Sequence, residues 1–433
     1  MNITILTIGS RGDVQPFVAL GKGLKEAGHA VRIGTDAAFE ALAGGAGLDF
    51  THVAGDIRSV MQSAGGHEML EQGQNPLVMI RTMIEAARPL AKRIAEDFLN
   101  AAHDADGLIL GGVAFFGGTA VAEKLNIPYI PASYMPVYPT RTFAHPLFTN
   151  RQIKMGGVLN RLSADLITQA FWQASRPVLN QGRSEVLGLG PAAFFGPYQD
   201  MDRQRIAHIH GYSTTVVPRP PDYPDFVHIT GYWFLDADPN WQPPKQLMDF
   251  LDAGPAPVCI GFGSMSNEKP EEVAEMLVEA LRLAGQRGIL LTGWEGLHAS
   301  SLPDTVFLLR EAPHDWLFPR MVAVVHHGGC GTTAAGLRAG VPSILIPFFG
   351  DQPFWAQQVY RLGVGPSPIP RRALTANRLA EAIQQAVSNQ EMQARCRGIA
   401  QKLQTENGVQ QAIKVIERSF VASRQKNNRF AGS

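Results

Sequence analysis

Apolar and polar positions alternate along this chain in two successive series. Ile3 to Ile8 is a short apolar run ending at Gly9, which predicts a buried parallel strand. Phe17, Leu20 and Leu24 follow at helical spacing, and Gly28 marks the end of that helix before the strand AVRIGT. The alternation continues through the strand GLILGGV, the helix GGTAVAEKLN and the strand PYIPAS. A second series runs through VCIGFGSM, GILLTGW, VFLLRE, VAVVHHGG and SILIPFF. Strands alternating with helices predict parallel sheets covered on both faces, an α/β architecture built twice.

The two series are separated by VPRPPDYPDFVHITGYWFLDADPNWQPPK, a stretch with seven prolines that reads as an extended linker around one short strand. The expected organisation is a first domain over 1–217, a linker over 218–245, a second domain over 246–405, and a C-terminal helix and tail over 406–433. Positions 57–80 and 141–215 carry no regular pattern.

Composition narrows the classes. The chain has 433 residues, enough for two domains of ordinary size, and it balances 38 basic against 38 acidic residues. That balance gives no electrostatic case for nucleic acid. Three widely spaced cysteines (Cys259, Cys330 and Cys396) lack a CxxC pair, and no histidine cluster has zinc spacing, so no metal or disulfide framework is expected. The first residues lack a basic n-region and a cleavage site, and no window approaches a membrane span. The expectation is a cytoplasmic protein, with peripheral membrane contact left open.

The chemistry concentrates at strand ends. VVHHGGCGTTAAGLRAGVPSILIPFFGDQ (Val324 to Gln352) places His327, Gly328, Gly329 and Gly331 between a strand and a helix, with Thr332 and Thr333 in the first turn. Such a turn presents backbone N–H groups at the positive end of a helix dipole, a cradle for phosphate. In open α/β sheets ligands sit at these carboxyl ends. A rival reading uses the same glycines: Gly329 to Ala334 fits G-x-G-x-x-G/A, and Asp351 lies 20 residues beyond Gly331, the dinucleotide fingerprint of an NAD(P)-dependent oxidoreductase. A second loop, GSRGDVQPF, repeats the arrangement at the N-terminus, with Ser10 and Arg11 able to face an anion. From that loop alone, Asp13 reads more readily as a helix cap than as a carboxylate serving chemistry.

Taken together, GSRGDVQPFVALGKGL, HITGYWFLD, IGFGSM, APHDWLFPR and HHGGCGTTAAGLRAGVPSILIPFFGDQPFWAQQV resemble the nucleotide-sugar glycosyltransferases of the GT-B fold. Within them, HITGYWFLD, APHDWLFPR and FFGDQPFWA are most similar to the sterol 3-beta-glucosyltransferases, a branch that also includes bacterial antibiotic-modifying enzymes. The resemblance implies two Rossmann-like domains facing across a cleft, and an inverting, metal-independent hexosyltransferase. By position, Asp13 would be the general base. His327, Gly329, Gly331 and Thr332 would hold the diphosphate, and Asp351 with Gln352 the sugar hydroxyls. Ala312 and His314 would hold the base, while Ser10, Arg11 and Ser264 would approach the donor. UDP-glucose is the implied donor and a sterol the implied acceptor, with no cofactor. Glu311 stands where plant relatives stack the base on tryptophan, and Ala335 where they hold the ribose with glutamate. A dTDP-sugar donor, or a macrolide, carotenoid or phenolic acceptor, therefore stays open. AHPLFTNRQIKMGGVLNRLSADLITQAFW reads either as an acceptor-lining or membrane-touching segment or as ordinary helix packing.

Overall fold

The computed structural model describes residues 1–63, 65–66, 68, 75–148, 156–262, 270–292 and 302–431. The chain forms two compact units, one of residues 1–235 with 407–433 and the other of residues 236–406.

The first unit is built on a seven-stranded sheet in the order β3-β2-β1-β4-β5-β6-β7. Its strands are β1 (Asn2–Ile8), β2 (Ala30–Thr35), β3 (Asp49–His52), β4 (Gly107–Gly112), β5 (Tyr129–Ser133), β6 (His208–His210) and β7 (Val227–Ile229). Every pairing is parallel. Successive residues of one strand serve opposite cores. Ile3, Ile5 and Ile109 pack with Phe17, Leu20 and Leu24 of helix α1 (Arg11–Glu26), whereas Leu6, Leu108 and Leu110 pack on the other face with Val121 of helix α2 (Ala114–Leu125). A sheet buried on both faces is why its strands read as continuous apolar runs.

The second unit holds a five-stranded sheet, β10-β9-β8-β11-β12, from β8 (Val258–Gly261), β9 (Gly288–Leu291), β10 (Val306–Leu309), β11 (Ala323–His326) and β12 (Ser343–Leu345), again all parallel. In each sheet the strand order reverses beside the first strand of the unit, between β1 and β4 and between β8 and β11. Those reversals are where open α/β sheets bind ligands, and they place GSRGD and HHGGCG.

Three features differ from the expected organisation. The strand inside the proline-rich stretch is β7, which pairs with β6 and so belongs to the first sheet; the unit boundary falls after Leu235. The irregular 141–215 region contains one long helix, α3 (Gly157–Gly182), with Pro177 inside it. The C-terminal helix, which we number α6 (Gly408–Ala431), returns to the first unit and buries Ala412, Ile413, Ile416 and Phe420 beside α1. Two glycines make room for it. A Cβ on Gly23 would lie 2.3 Å from Val409, and one on Gly107 would lie 2.7 Å from the ring of Phe420.

Buried histidines predict that this unit loses stability in acid. Burial pushes His145 and His210 down to about 4 and His208 down to about 3, so all three are neutral in the native protein. Unfolded, each binds a proton near its ordinary value of 6.5. Because the unfolded chain then holds more protons, stability falls as pH drops below about 6.5, on the order of 1 kcal/mol per histidine per pH unit. Thermal unfolding measured from pH 7 to pH 5 is expected to show a steep drop in midpoint; a flat profile would contradict these protonation states.

Candidate active site

In the first unit the site begins where β1 ends. Ser10 caps α1, and Asp13, three residues on, folds its carboxylate back over the turn. Asp13 Oδ2 accepts the Ser10 backbone N–H at 2.6 Å and the Ser10 hydroxyl at 2.8 Å. The Thr7 hydroxyl holds the Asp13 carbonyl at 3.1 Å. Gly9, at φ 154°, has no alternative here, because a Cβ would stand 2.4 Å from Asp13 Oδ2. The cap reading and the chemical reading of Asp13 are thus one geometry: the helix start that caps itself also fixes a half-buried carboxylate.

A further partner comes from far along the chain. Tyr134, just past the end of β5, donates its hydroxyl to Asp13 Oδ1. No spacing rule links positions 121 residues apart. A carboxylate has about four lone-pair sites, so these three donors leave one, on Oδ1. The side chains predicted to face a donor from this loop are turned to local tasks. The Ser10 hydroxyl serves Asp13, and exposed Arg11 bonds Gln15 along its own helix at 2.9 Å.

In the second unit, His326 ends β11, and helix α4 (Cys330–Ala339) starts at Gly329 with no side-chain cap. Gly328, at φ 92°, packs 3.2 Å from the Gln352 carbonyl oxygen by its would-be Cβ, so this loop sits directly against the start of helix α5 (Gln352–Leu362). Gly329 is needed by a neighbour: a Cβ would lie 2.6 Å from His327 Nε2, where the imidazole covers the loop. Gly331 is exposed and nothing lies within 4 Å of its would-be Cβ. Thr332 is half-buried beside it, while the buried Thr333 hydroxyl has no hydrogen-bond partner among the described residues.

Burial, then the nearby His314, pushes His327 down to about 4, so it meets a ligand as a neutral imidazole. Its buried Nδ1 has no hydrogen-bond partner among the described residues. His326 lies well below its ordinary value for the same reasons and accepts the Gly328 N–H at 3.1 Å. His314 begins a single helical turn with its ring stacked on Phe318 at 4.3 Å, and Ala312 packs against the adjoining core.

Asp351 and Gln352 are also held from within. The Trp355 indole, fully buried, donates to Asp351 Oδ2 at 2.7 Å. Gln352 Oε1 accepts the N–H groups of Phe348 and Phe349 at 2.8 and 3.2 Å, which leaves its amide nitrogen as the donor. Above this loop the Arg371 guanidinium stands 4.8 Å from the Phe348 ring. Trp355 was legible as an aromatic one helical turn after Asp351; Arg371 carried no signal. Trp316 packs between Trp241 at 5.1 Å and the Arg320 guanidinium at 4.1 Å. Ser264, Trp294 and Met155 lie outside the described residues.

With this geometry in hand, the similarities to known proteins become specific. Residues 3–144 match the Glycosyltransferase family 28 N-terminal domain, and residues 289–417 match the C-terminal domain of the erythromycin biosynthesis protein CIII-like family. A sterol 3-beta-glucosyltransferase of Arabidopsis thaliana is 36% identical over 428 residues, covering 96% of this chain and 68% of its own. The chain belongs to the sterol 3-beta-glucosyltransferase family. A second Arabidopsis member is 38% identical over 98% of this chain and 66% of its own length. A member from Cryptococcus neoformans is 36% identical over 97% of this chain. The chain thus spans about two thirds of the length of these plant members of the sterol 3-beta-glucosyltransferase family and 27% of the fungal one. Among solved structures, the calicheamicin glycosyltransferase CalG4 matches with a TM-score of 0.67 at 20% identity over 97% of this chain and 98% of its own. The glycosyltransferase VinC in complex with dTDP matches with a TM-score of 0.64 at 16% identity over 98% of this chain and all of its own. These neighbours share the fold, which is GT-B.

Proposed function

We propose that this chain is an inverting, metal-independent glycosyltransferase that moves glucose from UDP-glucose to the hydroxyl of a sterol. The observation that carries the donor half is the start of α4: uncapped, glycine-lined at Gly331, and flanked by His327, whose Nδ1 has no partner among the described residues. That is the chemistry a diphosphate needs, namely N–H donors at the positive end of a helix and room for close approach. Family membership supplies the sterol.

In the proposed reaction Asp13 takes the proton of the acceptor hydroxyl at the open lone pair of Oδ1. The acceptor oxygen bonds to the anomeric carbon as that carbon's bond to the diphosphate oxygen breaks, inverting the centre. The departing negative charge is met by the first turn of α4, Thr332 and the neutral His327 acting as donors. The amide nitrogen of Gln352 and the carboxylate of Asp351 hold sugar hydroxyls. The oxidoreductase reading uses Asp351 as a ribose ligand and gives no task to the held carboxylate of Asp13.

Donor identity is testable by titration. Calorimetry is expected to show binding of UDP-glucose, with Gly331→Ala weakening it about tenfold while the melting point holds, because the added methyl meets no protein atom. Equal affinity in wild type and Gly331→Ala would remove the diphosphate from this turn. Binding of dTDP-glucose and not of UDP-glucose would replace the donor, and binding of NAD(P) alone would favour the oxidoreductase.

A sterol acceptor also implies contact with a lipid surface, and α3 offers one. Val158, Leu159, Leu162 and Leu166 are 71%, 51%, 45% and 59% exposed, and the exposed Phe194 and Phe195 are tied to the same helix through their carbonyls by Gln173 and Gln169. No helix among the described residues is long and apolar enough to cross a membrane. Leu159→Glu with Leu166→Glu is expected to abolish co-sedimentation with phosphatidylcholine–sterol vesicles and to spare transfer to detergent-dispersed sterol. Unchanged sedimentation would remove α3 from any lipid contact.

A further inference from the structure

We infer that Tyr134 is a positioning residue for the Asp13 carboxylate, an assignment that rests on the glycosyltransferase reading and deepens it. Both donors from Ser10 fall on one oxygen, Oδ2. An oxygen held alone is a pivot: the carboxylate can still turn about its Cβ–Cγ bond and sweep Oδ1 through an arc. Terminal bonds of this sp³–sp² kind are soft, with broad minima. The Tyr134 hydroxyl, by donating to Oδ1, fixes the second oxygen and with it the plane of the group. That leaves a single lone pair of Oδ1 with a defined direction, and proton transfer depends on such alignment.

The phenol suits the task because of where it is carried. Tyr134 follows the last residue of β5, a strand paired with β4 and β6 and so held on both edges, and its ring packs against the core beneath α1. The adjoining turn is itself tied, with the Ser133 hydroxyl accepting the Met135 N–H at 3.2 Å. Asp13 is thus fixed by its own helix on one side and by the sheet on the other. Its main chain is fixed independently through Thr7, so loss of the phenol hydroxyl frees the carboxylate without freeing the helix.

The test is a double-mutant cycle on Tyr134→Phe and Asp13→Asn, with sugar transfer followed at saturating donor and varied acceptor. Phenylalanine keeps the ring and its packing, and the melting point of each variant confirms the fold. Tyr134→Phe is expected to lower kcat about ten- to hundredfold, the span of one hydrogen bond to a charged group, with the acceptor KM within twofold. In the Asp13→Asn background the same substitution is expected to change nothing, because there is no base left to align. Wild-type kcat in Tyr134→Phe, a loss confined to KM, or a loss that multiplies in full with that of Asp13→Asn would each overturn the assignment. Failure of the parent reading looks different: the wild-type protein itself would transfer no sugar.

Discussion

Asparagine at position 13 is expected to lower acceptor-dependent sugar transfer by about 10²- to 10⁴-fold, the range for removal of a positioned base, and to leave donor affinity within twofold. The substitution isolates proton transfer. Asparagine keeps the shape of the side chain, and its carbonyl oxygen can still accept the Ser10 N–H and hydroxyl that Oδ2 accepts in the native protein. The helix start therefore survives, and Gly9 still makes room for the folded-back group. What asparagine cannot do is take a proton from an acceptor hydroxyl. Its effect belongs in kcat and kcat/KM together, measured as released UDP against time at saturating UDP-glucose. An unchanged rate would return Asp13 to the role of a helix cap and nothing more.

Alanine at position 327 is expected to weaken UDP-glucose binding about ten- to hundredfold, the cost of losing a donor to a charged group. Because burial and His314 hold His327 down to about 4, the imidazole gives one N–H and no net charge at pH 7. The loss should therefore vary little with salt. Gly329→Ala offers a second route to the same outcome. Its methyl would stand 2.6 Å from His327 Nε2 and must displace the ring, although Gly329 itself lies at an ordinary φ of −58°. Calorimetry on both variants is expected to give matching losses. Wild-type affinity in His327→Ala would mean that the diphosphate is held elsewhere.

Much of this site could be read in the sequence because parallel strands advertise themselves. The runs at Ile3 to Ile8 and Val324 to His326 are buried on both faces, so their ends, and the glycine turns that follow, stand out as breaks in apolar patterning. What stayed hidden depends on contacts between distant residues. The bond from Tyr134 to Asp13 joins the end of β5 to the first turn of α1, with β2, β3 and β4 lying between them along the chain, and no local pattern encodes it. The apolar positions Ala412, Ile413, Ile416 and Phe420 marked a helix, while its partner could be known only from the spaces left by Gly23 and Gly107. β7 was legible as a short strand, but its pairing with β6 was not, since the prolines around it read as a linker between the two series. α3 escaped because Gly, Pro and polar residues interrupt its apolar face, which is in large part exposed.

The central claim is that one chain holds a sugar nucleotide in its second unit and delivers the sugar to a sterol hydroxyl with Asp13 as base. Incubation of the protein with UDP-glucose and a sterol, followed by mass spectrometry and proton NMR of the lipid extract, tests it most directly. The account predicts a hexosyl sterol whose anomeric coupling reports a β linkage, formed by the wild-type protein and reduced at least a hundredfold by Asp13→Asn. An α linkage would contradict direct displacement, and product formed equally well by Asp13→Asn would contradict the base. No hexosyl sterol at all, from protein that binds UDP-glucose, would contradict the proposed acceptor.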